Sequence, residues 1–185
     1  MSTIAIRRSG PGQVRVRVDA AGTMVAATIE DVGAAADGFV RGDRVAYPVS
    51  LGEHPVIRVD TLLGIPRDVT DRQTADLLAP GLIAHAMITQ VRPFARGDRV
   101  HVALGSSTLR QVVSAWVSSL GGTVVDDPAT ADVVYDEQAR RLAAIEASHR
   151  QGRLQQAATE VFLAIRAGVF ASVIVPLHQF ERVAA

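Results

Sequence analysis

The sequence predicts an α/β protein, α+β overall, in which a small antiparallel β unit precedes a parallel βαβ unit. Three observations carry that expectation. Strict apolar–polar alternation through Gln13-Val-Arg-Val-Arg-Val-Asp19 is the period of a half-buried strand. Beyond Thr70 the period lengthens, and Leu109, Val112, Val113, Trp116, Val117 and Leu120 fall on one face of a helix. Between them, Phe39-Val-Arg-Gly-Asp-Arg-Val45 returns as Phe94-Ala-Arg-Gly-Asp-Arg-Val100, and each copy runs into an apolar, β-prone stretch. A Gly-Asp turn therefore opens a strand in both places.

The remaining elements follow in order. Met24 to Val32 is a second strand closed by Gly33, Val45 to Val49 a third, and Pro55 to Leu62 a fourth. Thr70 and Gln73 form a capping box that opens a helix running towards Gln90, and Pro80-Gly81 should break or kink it. The second Gly-Asp turn leads into the strand Val100-His-Val-Ala-Leu104, then the turn Gly105-Ser-Ser-Thr-Leu-Arg110, then the helix with the apolar face. Gly121-Gly122 ends that helix, and Thr123 to Val125 is the next strand, reached by a right-handed crossover. Ala131 to Tyr135 is another short strand. Helices near Glu137–His149 and Leu154–Ala167 follow, and a final strand spans Phe170 to Val175. These elements suggest a β-rich unit over 1–68, a βαβ unit over 69–152, and a last helix and strand over 153–185 that return to the first.

Bulk properties exclude several classes of function. The chain has 185 residues, enough for a real core, with 48% hydrophobic and 21% charged residues. Nineteen basic residues balance nineteen acidic ones, so charge argues for neither nucleic acid nor an anionic membrane surface. No apolar run approaches the ~20 residues of a membrane span, and the first residues lack the order of a secretory signal, so a cytoplasmic protein is expected. There is no cysteine, which removes disulfides, thiol nucleophiles and thiolate metal sites. The five histidines are scattered without ligand spacing, and no metal is expected.

The order of the pieces resembles the medium-chain dehydrogenase/reductases, in their zinc-free quinone oxidoreductase and enoyl reductase branch. Val14-Arg-Val-Arg-Val-Asp-Ala-Ala-Gly22 is similar to the strand that opens the family's chaperonin-like β domain. Val32-Gly33 with Gly42-Asp-Arg-Val-Ala-Tyr47 resembles its Val-Gly and Gly-Asp-Arg-Val-Ala-Tyr signature. Ile65-Pro66 and Ala79-Pro-Gly-Leu-Ile-Ala84 resemble the stretch leading to the nucleotide domain, and Leu120-Gly-Gly-Thr-Val-Val125 resembles the end of its first βαβ. Ile165-Arg-Ala-Gly-Val169 and Pro176-Leu-His-Gln-Phe180 resemble the return segment. The resemblance implies a small chaperonin-like antiparallel β unit plus a truncated Rossmann-like βαβ unit. Against the family's pattern, material is missing between Gly22 and Thr28 and between Val125 and Arg153.

The implied cofactor is NADP or NAD, and the implied phosphate loop falls on Gly105 to Arg110, whose glycines land on Ser107, Thr108 and Arg110. Those glycines serve a tight turn, close backbone approach to pyrophosphate and helix packing, so an arginine at the last position argues that the cofactor is lost. Two features argue for its retention. Ser106, Ser107 and Thr108 are good N-caps at an anion-attracting helix terminus, and Asp126 lies near the spacing of a ribose ligand. The alternative is a structural βα turn with an exposed Asp126.

Two residues stand out as acid–base candidates. Tyr47 matches a residue near the family's substrate cleft and would position or protonate a carbonyl oxygen; otherwise it is an amphipathic strand-end residue. His85 sits beside Pro80-Gly81, either facing a cleft or half-buried and satisfied. His54 is expected at the surface and His178 near the cleft. Asp43 and Asp98 should serve their turns, paired with Arg44 and Arg99, and Trp116 should be core. The substrate expected is an enone-, quinone- or polyketide-type small molecule, handled by a reductase. The alternatives are a cofactor-independent isomerase, lyase or cyclase of secondary metabolism, or a dimeric binding scaffold. A shortened sheet exposes edges, so a homodimer through the sheet or the last strand is expected.

Overall fold

Alternation in the first strand sorts its residues as expected: Val14 and Val16 are buried while Arg17 and Asp19 are exposed. The computed structural model describes residues 9–51, 56–149 and 151–173. His54, His178 and the end of the expected last strand lie outside them. The chain divides into two units, Met1–Ala79 and Pro80–Ala185.

In the first unit, antiparallel strands β1 (Gln13–Ala21), β2 (Met24–Val32), β3 (Arg44–Pro48), β4 (Val56–Arg58) and β5 (Leu63–Gly64) lie in the order β4-β1-β2-β3-β5. Their inward residues close one core containing Val14, Val25, Ile29, Val45, Tyr47 and Leu62. The single strand expected over Pro55 to Leu62 is interrupted by a 3-10 turn at Val59–Thr61. The cause is local. Arg58 pairs with Asp60 at 2.8 Å and the Thr61 hydroxyl donates to the Arg58 carbonyl at 2.8 Å, bonds that compete with a strand ladder.

Both Gly-Asp turns adopt the same conformation. Gly42 and Gly97 each have φ of 94°, a left-handed value that a side chain would resist. Asp43 accepts the Val40 N–H at 2.8 Å, and Asp98 accepts the Ala95 N–H at 2.7 Å. Because those carboxylates face back into their turns, the expected pairing with the next arginine does not form. Arg44 instead pairs with Asp71 at 2.6 Å and Arg99 with Asp132 at 3.5 Å. A strand's successive side chains point to opposite faces, which separates each arginine from the aspartate before it.

Helix α1 (Asp71–Ala86) opens with the expected reciprocal cap: Thr70 N–H donates to Gln73 Oε1 at 3.0 Å, and Gln73 N–H to Thr70 Oγ1 at 3.1 Å. The break expected at Pro80 is absent, and the helix runs through it. Proline removes the bond to the carbonyl four residues back, that of Asp76. Thr23, in the β1–β2 turn, supplies a replacement: its hydroxyl lies 2.9 Å from the Ala75 carbonyl and 3.3 Å from that of Asp76. After Ala86 the helix widens into a π turn, Met87–Val91, and Arg92 then anchors it by donating to the Val134 carbonyl at 2.6 Å.

The second unit is built on a parallel sheet of β6 (Arg99–Val102), β7 (Thr123–Val125) and β8 (Val133–Tyr135), ordered β7-β6-β8. Helix α2 (Ser107–Ser119) buries Leu109, Val112, Val113, Trp116 and Val117 as its spacing predicts. Leu120 departs from that face: it is the C-cap and half exposed. Helices α3 (Glu137–His149) and α4 (Gln151–Arg166) follow. α4 packs within this unit, where a Cβ on Gly81 would come 2.6 Å from Val161, so glycine permits the approach of α1. The described part of the expected last strand is a series of turns, with the Ala171 N–H on the Gly168 carbonyl and that of Val173 on Phe170. Phe170 anchors those turns edge-on against Trp116, with ring centroids 5.4 Å apart.

The compensation at Pro80 is measurable by a double-mutant cycle in urea. Thr23→Val should cost about 1–2 kcal/mol in the natural chain. In a Pro80→Ala background, where Asp76 regains a helical partner, at least half of that cost should vanish. An unchanged cost would show that the hydroxyl does not compensate the proline.

Candidate functional site

In a parallel sheet, ligands bind beyond the carboxyl ends of the strands where the strand order reverses. Here that place lies between β6 and β8, the central strand and its neighbour opposite β7. Past β6 come Leu104, Gly105 and the Ser106 N-cap, whose hydroxyl accepts the Leu109 N–H at 3.4 Å. Past β8 comes Glu137, the first residue of α3. The parallel register, Val102 beside Tyr135, brings these two ends together.

The contacts made there are internal. Glu137 Oε1 accepts the Gly105 N–H at 2.9 Å, and its Oε2 accepts from Arg140 Nε at 2.5 Å. The Gly105 N–H, followed by Arg140, holds the Glu137 carboxyl below its usual pKa. Arg110 folds back over the turn and donates through Nε to the Leu104 carbonyl at 3.0 Å, with a second contact from the same guanidinium. A pyrophosphate approaching this turn would meet a carboxylate on the N–H it needs and an arginine where the helix should be bare. The residues present do not fit the phosphates of a dinucleotide. Ser107 is exposed, Thr108 half-buried, and Asp126 stands exposed beyond β7.

The acid–base candidates fall in different units. Tyr47, on β3 opposite Val25, is wholly buried in the core of the first unit. His85, on α1, belongs to the second unit and contacts α4 through Nε2 to Glu160 Oε2 at 3.0 Å. Its ring is tilted against Trp116 at 5.8 Å between centroids. The other ring nitrogen, Nδ1, is buried and has no hydrogen-bond partner among the described residues. Trp116 is buried as expected. Among the described residues no cluster of metal-ligating side chains occurs, and no helix is long and apolar enough to cross a membrane. Sequence reasoning missed Glu137, Arg140 and Glu160. The one signal for Glu137 was an acidic pair, Asp136-Glu137, directly behind a strand that shares a sheet with β6.

No family model and no curated protein matches the sequence. Solved structures do match. A mycobacterial quinone oxidoreductase is 25% identical, with a TM-score of 0.56 over 73% of this chain and 53% of its own. A mycobacterial protein in complex with NADPH is 26% identical, with the same TM-score and coverage. An alcohol dehydrogenase superfamily protein from Novosphingobium aromaticivorans shares the fold at 15% identity, with a TM-score of 0.69 over 91% of this chain and 83% of its own. The chain spans about half the length of the quinone oxidoreductase it matches. Its antiparallel β unit followed by a short parallel sheet resembles the medium-chain dehydrogenase/reductase architecture, as found in the quinone oxidoreductases it matches.

Proposed function

We propose that this chain is a quinone oxidoreductase- and enoyl reductase-like protein that acts on an enone-, quinone- or polyketide-type small molecule without a nicotinamide dinucleotide. Its chemistry would then be that of an isomerase, lyase or cyclase. The observation that carries this reading is the Glu137 carboxylate on the Gly105 N–H, with Arg110 closed over Leu104 beside it. Anion binding at such a turn depends on free backbone donors and an unopposed helix terminus. Here one donor is engaged and a negative charge stands in front of it.

Proton transfer is the chemistry that such a protein retains. With Nε2 of His85 donating to Glu160, the free lone pair lies on Nδ1, a buried nitrogen that a substrate reaches only if the ring is uncovered. A carboxylate-oriented imidazole is a general base in form. The hydride-transfer reading draws its support from the solved relatives, one of which carries NADPH.

Differential scanning calorimetry with millimolar NADPH or NADH decides between the two. No rise in melting temperature is expected for the natural chain, whereas bound cofactor at saturating excess would raise it by about 5 °C or more. A rise of that size would falsify the proposal. Turnover of an enone substrate without nucleotide should fall about a hundredfold or more in His85→Gln if His85 is the base.

The state of the carboxylate is open to an NMR titration of the Glu137 carboxyl carbon. Its folded pKa is depressed, so the contact is charged and fully formed above the ordinary 4.5 and is lost only as pH falls through the lower folded value. The midpoint should lie below 4.5 and move up in Arg140→Gln; a midpoint at or above 4.5 in the natural chain would exclude the charged contact.

A further inference from the structure

The phenylalanines of both Gly-Asp turns are half-buried, and Phe39 also packs against the core of its unit. Phe94 of the second turn is covered by its own chain, since a Cβ on Gly122 would lie 2.7 Å from its ring. Phe39 of the first turn lines a groove of about 420 Å³ formed with Gly38, Gly42, Arg44, Gly64 and Arg67. All of these residues belong to the first unit.

Gly64 is the telling residue. It sits on the edge strand β5, opposite Val45, with neither a left-handed φ nor any atom within 4 Å of an added Cβ. Among the described residues, neither backbone conformation nor packing calls for glycine there. A strand glycine of that kind marks a place where something else approaches closely. The groove also holds two guanidinium groups, one of them tied to a carboxylate. Arg44 is fixed by Asp71 at 2.6 Å and by the Pro66 carbonyl at 3.2 Å. Arg67 is exposed and has no ion pair among the described residues. Asp43, the one acidic residue of the lining, is engaged by the Val40 N–H.

We infer that this groove is a binding site for a planar, conjugated small molecule bearing an anionic group. The flat body lies against Phe39 over the bare Gly64, and the anion faces Arg67. The volume is within the range of small-molecule sites, and an aromatic face beside a planar guanidinium suits a flat, delocalised anion. The site goes beyond the loss of the dinucleotide and stands apart from it, because the two are read at different residues.

The probe is naphthoquinone sulfonate, with uncharged naphthoquinone as its partner, titrated into the full chain and followed by amide NMR. Saturable shifts are expected at Gly38, Gly42 and Gly64, with the sulfonate bound more tightly. Gly64→Val, checked by its melting temperature, should weaken both probes about tenfold or more, and Phe39→Leu should do the same with no change at Gly64. Arg67→Gln should erase the advantage of the sulfonate and leave the uncharged quinone unaffected. Absence of saturation at millimolar probe, shifts centred elsewhere, or undiminished affinity in folded Gly64→Val and Phe39→Leu would each overturn the site. Failure of the nucleotide reading would appear instead as NADPH-dependent shifts at Gly105.

Discussion

The short run between Val125 and Val133 governs what happens at the carboxyl end of β6. Parallel strands are ordinarily joined by a dozen or more residues, usually with a helix among them. Here β7 and β8, which flank β6, have three residues each, about 10 Å, so a short span with one 3-10 turn suffices. That span delivers β8 to the far side of β6 from β7, and the residue that follows β8 by two positions is Glu137. The carboxylate on Gly105 is thus a consequence of connectivity. Arg140 completes it from one turn further along α3, and the lowered pKa of Glu137 carries the charged contact to pH values below the ordinary 4.5.

The same economy recurs in the first unit. The turn between β1 and β2 is reduced to Gly22-Thr23, and Thr23 reaches the carbonyls of α1 near the one that Pro80 leaves without a helical donor. The hydroxyl lies nearest the Ala75 carbonyl and within reach of the Asp76 carbonyl that the proline leaves without a helical donor. Buried carbonyls require such partners, so the proline and the threonine depend on each other across more than fifty residues of sequence.

Local chemistry was legible in the sequence wherever neighbours in the chain decide the outcome. The bounds of β2 and β7 follow from the turn residues beside them, the Thr70–Gln73 cap from its spacing, and the buried face of α2 from its period. Non-local compensation was hidden. Pro80 reads as a breaker because Thr23 is remote, and Phe170 reads as the start of a strand because its partner, Trp116, lies on another helix. At the turn after β6 the residues Ser107, Thr108 and Arg110 were visible, whereas the group that meets Gly105 was not. Its identity depends on which strand lies beside β6, and a one-dimensional pattern does not contain that.

Arg110 and Glu137 close the turn from opposite sides, one covering the carbonyl of Leu104 and the other the N–H of Gly105. Neither contact passes through the other. A glycine at 110 would leave the carboxylate in place, and removal of the carboxylate would leave the guanidinium. The turn is thus doubly latched: freeing the Gly105 N–H would leave the Leu104 carbonyl covered, and freeing that carbonyl would leave the N–H engaged.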